Sequence, residues 1–372
     1  MTSIIYVGMD VHTTNYTLCC YSMEDDRSFA EVQVEPDAKN ILKYLARIEK
    51  QQSRDCRIVC GYEAGCLGYS LYHQLHAHGI DCVILAPTTM MTKPGKRIKT
   101  DRRDARLISK CLAFHTYSPV YIPTEVDDAV KEYIRMRDDA NSALARVKQQ
   151  IIAFCIRHGK IHDGKSYWTN KHLEWLSSLD LGNKILSEVL QEYLIRYYQL
   201  REQVDMYDMR INELAQAEPY RQKVEKLGCF RGIAAHTALS FCVEVGDFRR
   251  FATAQQFASY LGLVPGECSS GDKQQYTGIT KAGNSHLRKL LVETAQVFGR
   301  SATKSGKSVA LKERQAKCDS LTVAYADKAN ARLKKKYFKI AMRSKVNIAK
   351  TAVAREMACF IWGMMTDNIS CA

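Results

Sequence analysis

Between Leu186 and Leu214 the apolar residues recur at spacings that alternate between four and three: Leu186, Leu190, Tyr193, Tyr197, Leu200, Val204, Tyr207, Ile211 and Leu214. Such a pattern commits the segment to one long α-helix, because only a helix returns residues seven apart to the same face. Sustained over four heptads, it is a coiled-coil seam. A shorter run upstream, Ala140, Leu144, Val147, Ile151 and Phe154, keeps the same rhythm. The polar, glycine-containing stretch HGKIHDGKSYWTNKH separates the two runs. The two helices form either an arm through which subunits assemble or an antiparallel pair inside one chain.

Upstream of about residue 126 the period is different. Residues 4 to 34 read as three strands, IIYVGMDVH, YTLCCYS and SFAEVQVE, joined by polar turns at Asn15 and Asp25-Asp26. A helix over 38–50, the strand CRIVCGYE, a helix over 67–78, the strand DCVILAP and a helix opening at Thr100-Asp101 follow. The order βββαβαβα predicts a mixed sheet with helices packed on it. A chain of 372 residues exceeds what one core organises. The predicted organisation is α/β plus α: a mixed α/β domain over 1–122, a helical coiled-coil arm over 123–222 and a mainly helical C-terminal domain over 223–372.

Composition narrows the function classes. No apolar run of 18 residues is present, and the start MTSIIYVGMDVH has no basic opening, long apolar stretch or small-residue cleavage site, which predicts a cytoplasmic protein. The 14 cysteines contain no CxxC pair, so zinc has little support, and many sit in apolar runs as small hydrophobes. The net charge of +14 is concentrated: between residues 300 and 350, fifteen lysines and arginines stand against Glu313, Asp319 and Asp327. That density is the footprint of a polyanionic partner, or else a solvated basic face.

Several residues can carry chemistry. Asp10 closes an apolar strand, where a carboxylate needs either a metal ion or an ion-pair partner. Glu63 ends the strand CRIVCGYE, at the carboxyl edge where α/β sites open. Asp101 and Asp104 share one helix face behind the N-cap Thr100, where acids also suit the helix dipole. An Asp on the first strand, a Glu after the fourth and an Asp-x-x-Asp helix after the fifth form the carboxylate set that holds two Mg²⁺ ions in phosphoryl transfer. Lys93, Lys96, Arg97, Lys99, Arg102, Arg103 and Arg106 flank the acids as phosphate contacts. Gly228 and Gly232 precede a helical run, either as plain turn glycines or as backbone donors toward a phosphate. In CSSG, Ser269 and Ser270 beside Gly271 are a loop or a nucleophile, with Lys273, Lys281, His286, Arg288 and Lys289 nearby in sequence.

Taken together, MDVH, GYEAGCLG, KTDRRDARLIS, the glycine pair with EVGDFRRF, LGLVPGECSSGDKQQYTGITKAGNSHLRKLL and ARLKKKYFKIAMRSKVNIAKTAVAREMACFIWGM resemble the DEDD transposases of bacterial insertion sequences. These are relatives of the Piv-type invertases, known as bridge-RNA-guided recombinases. The resemblance runs over nearly the whole chain; residues 300–330 are not matched position by position and read as a nucleic-acid contact or a flexible insertion. It implies a ribonuclease-H-like (RuvC-like) fold for 1–122, with Asp10, Glu63, Asp101 and Asp104 as Mg²⁺ ligands. It further implies a C-terminal transposase domain whose Ser270, in preference to Ser269, attacks a DNA phosphate, with the acids of another subunit completing the centre. Donor and target DNA, a structured noncoding guide (bridge) RNA and a homo-oligomer, dimer or tetramer, are the implied partners, with Lys96, Arg97, Lys99, Arg102, Arg103, Lys281, Arg288, Lys334, Lys335 and Lys336 as nucleic-acid contacts. The residues leave two rival functions: a junction-resolving metal nuclease without a covalent intermediate, and a noncatalytic nucleic-acid-binding scaffold.

Overall fold

A computed structural model of the chain describes residues 3–52, 56–90, 100–267, 275–300 and 306–369. They divide into two compact units, 1–122 and 123–372.

The first unit contains β1 (Ser3–Val11), β2 (Tyr16–Ser22), β3 (Arg27–Val34), α1 (Ala38–Gln51), β4 (Cys56–Glu63), α2 (Ser70–Ala77), β5 (Asp81–Leu85) and α3 (Asp101–Ala113). This is the predicted βββαβαβα order. The sheet runs β3-β2-β1-β4-β5, with β1 to β3 antiparallel and β1, β4 and β5 parallel. This mixed five-stranded sheet fits a ribonuclease-H-like α/β fold.

Strand alternation sorts the side chains between two faces. Ile5, Val7 and Met9 of β1 join Cys60 and Tyr62 of β4 in a core with Ile41, Leu45 and Ile48 of α1 and Leu71 and Leu75 of α2. Tyr6 points the other way and packs with Ile108, Cys111 and Leu112 of α3. Gly8 shares Tyr6's face. A Cβ there would collide with the carbonyl of Ala105 and the amide of Ser109, so the absent side chain lets α3 lie directly on β1. Gly61 of β4 likewise faces Leu112.

The second unit is almost all helix: α4 (Glu125–Arg157), α5 (Asn170–Ser177), α6 (Lys184–Gln216), α7 (Arg221–Gly228), α8 (Ala235–Val245) and α9 (Ala254–Tyr260). A short hairpin follows, β6 (Pro265–Glu267) with β7 (Tyr276–Ile279). Then come α10 (Ser285–Arg300), α11 (Val309–Gln315), α12 (Ser320–Ala341) and α13 (Val346–Met365).

The two heptad runs become α4 and α6, which pack on each other antiparallel: Phe154 meets Tyr193 near one end, and Tyr133 meets Tyr207 near the other. Leu144, Val147, Ile151 and Phe154 form one core with Leu190, Tyr197 and Val204. The seam is therefore covered within the chain. The other ends of these helices, with Val130, Ile134, Ile211 and Ala215, enter the core built by α7 to α10, α12 and α13. No described helix is long and apolar enough to cross a membrane.

The basic stretch that the sequence left unplaced has a structural role. Arg314 Nε donates to the Gly228 carbonyl at 2.9 Å, and the buried Gln315 donates to the Cys229 carbonyl at 3.1 Å and to Asp327 at 3.0 Å. Arg231 reaches the Gly306 carbonyl at 2.8 Å. The segment from Gly306 onward thus grips the turn between α7 and α8, and satisfies carbonyls that burial would otherwise penalise.

Candidate active site

Alternation along the strands decides where the sheet acids point. Asp10 shares parity with Tyr6 and Gly8, and Glu63 with Val59 and Gly61, so both stand on the α3 face. Met9 pairs with Tyr62 in the parallel ladder, which sets Asp10 and Glu63 side by side at the carboxyl ends of neighbouring strands. Helix α3 starts above this edge, capped by Thr100, whose hydroxyl accepts from the Arg103 amide. Its inward stripe runs Asp101, Asp104, Ala105, Ile108 and Leu112, with the arginines at 102, 103 and 106 exposed. Burying the apolar half of that stripe on β1 carries the two acids toward the sheet edge.

Asp10, His12 and Asp101 offer ligand atoms that all lie within 4.8 Å of one another. His12 Nε2 is 3.3 Å from Oδ2 of Asp10, and beyond that contact the buried oxygen has no hydrogen-bond partner among the described residues. Burial raises the Asp10 carboxyl above its ordinary pKa; His12 opposes the shift, while the Asp104 and Asp101 carboxylates reinforce it. A half-buried carboxylate pressed by two others, with an oxygen that meets only His12, is an arrangement that a divalent cation relieves, so the residues fit a metal ion. His12 was missed from sequence, although it stands two residues after Asp10.

The flanking cations are partly engaged. Arg106 Nε donates to Glu31 Oε2 at 2.6 Å, and Arg102 Nε lies 3.3 Å from Oε1 of the same residue. Lys93, Lys96, Arg97 and Lys99 lie outside the described residues.

So do Ser269 and Ser270. The residues on either side of them are described. The strands β6 and β7 emerge from a base locked at Gly283, whose positive φ of 64° and contact with the Tyr260 carbonyl leave no room for a Cβ. Arg288 Nη1 donates to the carbonyls of Leu261 at 2.9 Å and Ala282 at 2.8 Å, so this cation ties the hairpin base together. Lys281 is exposed beside it, Lys335 is exposed on α12, and Lys336 pairs with Glu356 at 2.6 Å.

Below the hairpin lies a charged cluster that the sequence did not reveal. Asp138 of α4 pairs with His286 Nε2 at 2.8 Å and accepts from Arg137 Nη1 at 3.1 Å, and His236 Nε2 lies 2.9 Å from it. Glu244 of α8, nearly buried, accepts from Asn284 at 2.8 Å and Arg135 at 3.1 Å, and faces His286 Nδ1 at 3.3 Å. Asn284 also caps α10 through the Leu287 amide. The cluster fixes the start of α10, and through it the exit of the hairpin.

Comparison with known proteins identifies the chain. A family model described as DEDD transposase of IS110 matches residues 7–156, which include all four acids. A second, described as the transposase IS116/IS110/IS902 family, matches residues 225–314, which include both serines. The transposase for insertion sequence element IS1533 of Leptospira borgpetersenii is 32% identical over 90% of this chain and 95% of its own length. The chain belongs to this transposase family. The y4qE protein of Sinorhizobium fredii, which bears a transposase name, is 36% identical over 82% of the chain and 75% of its own length. The transposase for IS1111A of Coxiella burnetii is 26% identical over 68% and 71%. This transposase is accordingly a DNA recombination enzyme. Its two family matches fall on the two regions that carry the candidate acids and the candidate serines.

Proposed function

We propose that this transposase cuts and exchanges strands of donor and target DNA, with Asp10, Glu63, Asp101 and Asp104 as the ligands of Mg²⁺ and Ser270, or its neighbour Ser269, as the nucleophile. The observation that carries this reading is the placing of Asp10 and Glu63 on one sheet face, at the edge over which α3 begins with Asp101 and Asp104. These carboxylates would hold Mg²⁺, which would supply Lewis-acid charge for phosphoryl transfer. The chain contributes preorganisation: the ladder fixes two carboxylates, and the packing of α3 at Gly8 fixes the other two. The serine oxygen forms a bond to phosphorus as the bond to the departing strand breaks, which leaves a protein-linked phosphate and a free hydroxyl end.

In this reading the first unit, 1–122, is a RuvC-like nuclease of a cytoplasmic enzyme, and within the second unit residues 123–222 are a helical arm and 223–372 a serine-bearing transposase domain. The acids of one subunit meet the serine of another. Assembly as a dimer or tetramer is supported by the apolar residues that α6 exposes away from its seam, Ile195, Tyr198, Met206 and Met209. Sequence choice belongs to base pairing with a structured guide RNA encoded beside the gene, while basic side chains hold phosphates.

The test uses the protein expressed with its native flanking noncoding DNA, donor and target duplexes and Mg²⁺. An SDS-resistant protein–DNA adduct lost in only one of Ser269→Ala and Ser270→Ala identifies the nucleophile. Cleavage that survives both substitutions and disappears in Asp10→Asn defeats the serine step and leaves a metal-dependent nuclease.

A further inference from the structure

Beside the hairpin lies a cavity of about 510 Å³, within the range of roughly 300–1,000 Å³ usual for ligand pockets. One wall is the hairpin itself, through Pro265 of β6 and Thr277, Gly278 and Ile279 of β7. The opposite wall is one face of α13, where Asn347, Ile348, Thr351, Ala352 and Arg355 recur at helical spacing, with Lys336 of α12 at the side. Leu263, Ile279, Ile348 and Ala352 give it an apolar floor. Ile348 is 54% exposed, and Val346, at the start of the same helix, is 49% exposed.

The polar groups point to the occupant's charge. Arg355 is half-buried and has no ion-pair partner among the described residues, whereas Arg332 and Lys336 share Glu356. A half-buried guanidinium without a carboxylate partner is a fork available to an anion, and its planar geometry matches phosphate. Asn347 adds an amide that can both donate and accept. An apolar slot bordered by a free guanidinium, an ammonium and an amide fits one nucleotide: the base against the floor, its phosphate on Arg355. Tyr276, 63% exposed on the same strand of the hairpin, offers a further stacking surface.

We propose that this cavity is a nucleotide subsite which takes an unpaired nucleotide of the DNA strand next to the phosphate under attack. DNA is favoured as the source because the cavity wall includes the two strands, β6 and β7, that the serine-bearing segment connects in sequence. The inference rests on the serine reading above for its role, but not for its existence.

The test uses full-length protein and a short single-stranded DNA carrying one 2-aminopurine, with the same sequence as RNA and as duplex DNA in parallel. Burial of the base alters its fluorescence. The signal is expected with single-stranded DNA, both in wild type and in the Ser269→Ala/Ser270→Ala double variant. Arg355→Gln is expected to weaken binding about tenfold, with partial recovery in Arg355→Lys. Ala352→Leu should remove the fluorescence change by filling the slot. Gly278→Val fills it from the other wall, where a Cβ would meet open space, and so guards against a folding artefact on α13. Unchanged affinity and fluorescence in Arg355→Gln and Gly278→Val overturn the proposal, as does a tenfold preference for the RNA. A wild-type protein that gives the fluorescence change but no covalent adduct defeats the serine step and leaves the subsite standing.

Discussion

His286 Nε2 lies 2.8 Å from Asp138 Oδ2, a bond between the first turn of α10 and the middle of α4. The same imidazole faces Glu244 through its other nitrogen, so one ring holds two carboxylates on two helices. Those bonds raise the His286 pKa to about 9, against the pull of burial, and hold Asp138 well below the usual carboxylate range. Glu244 is lowered to about 2, chiefly by the His286 hydrogen bond against its own burial, with Arg135 adding to the effect.

The pH dependence follows from the signs. A histidine whose folded pKa exceeds its unfolded value near 6.5 stabilises the protein fully below about 6.5, and the contribution is lost as pH rises through about 9. We expect wild-type Tm to fall between pH 7 and pH 9.5 by the equivalent of roughly 2–3 kcal/mol, with a much flatter profile in His286→Gln. Asp138→Ala removes the carboxylate shared by Arg137, His236 and His286, of which Arg137 keeps Asp208 and His286 keeps Glu244, and should cost about 2–3 kcal/mol at pH 7. A His286→Gln variant whose pH profile matches wild type would show that the imidazole is not charged in the fold.

Asp10 shifts stability in the same direction with pH, but because its ionised form is the disfavoured one. Its raised pKa means that the ionised carboxylate destabilises the metal-free fold, and that stability grows as pH falls through the raised value. Asp10→Asn should therefore leave the metal-free protein as stable as wild type or more so. Saturating Mg²⁺ or Mn²⁺ should raise the stability of wild type by about 2–3 kcal/mol and leave Asp10→Asn unmoved. Thermal melts with and without the ion decide this independently of any DNA reaction. An equal ion-dependent shift in the two proteins would remove Asp10 from the ligand set.

Gly8 tests how α3 delivers its acids. Gly8→Ala puts a methyl group into the backbone of Ala105 and Ser109, which cannot rotate away as a side chain can. We expect a loss of more than about 3 kcal/mol or detachment of α3, seen as faster hydrogen exchange over 101–113. Gly278→Ala, where nothing lies within 4 Å, is the control and should be silent. A Gly8→Ala protein with wild-type exchange in α3 would mean that the helix position is not what anchors Asp101 and Asp104.

The first unit was legible because each of its elements follows one period. Strand alternation in IIYVGMDVH and CRIVCGYE sets the faces of Asp10 and Glu63, and helix spacing in TDRRDARLIS sets those of Asp101 and Asp104. The seam of α6 was equally plain, yet the period cannot say whether the partner helix belongs to the same chain; that depends on the connection through residues 158–183, which contains α5. The Asp138 cluster was hidden because its members come from α4, α8 and α10, and only tertiary packing joins them. One signal was present: continued backward from Leu144 and Ala140, the α4 seam reaches Arg137 and then Tyr133 and Val130. A charge on an apolar seam needs a buried partner, and Arg137 finds Asp208 on α6 through two bonds, at 2.7 and 2.9 Å.

Glu31 controls how much positive charge the α3 face presents. It sits 16% exposed between Arg106 and Arg102, two exposed cations of the helix that begins with the candidate ligands. While paired, these guanidinium groups are drawn back toward β3; Glu31→Gln releases both without changing the side-chain shape. Each phosphate that a freed cation contacts displaces counterions, adding about 0.9 to the slope of log affinity against log salt. We expect Glu31→Gln to bind duplex DNA of arbitrary sequence roughly three- to tenfold more tightly at low salt, with a slope steeper by about one to two and convergence with wild type at high salt. Fluorescence anisotropy over a salt series measures both quantities. An unchanged slope would mean that Arg102 and Arg106 serve the fold through Glu31 and do not reach DNA.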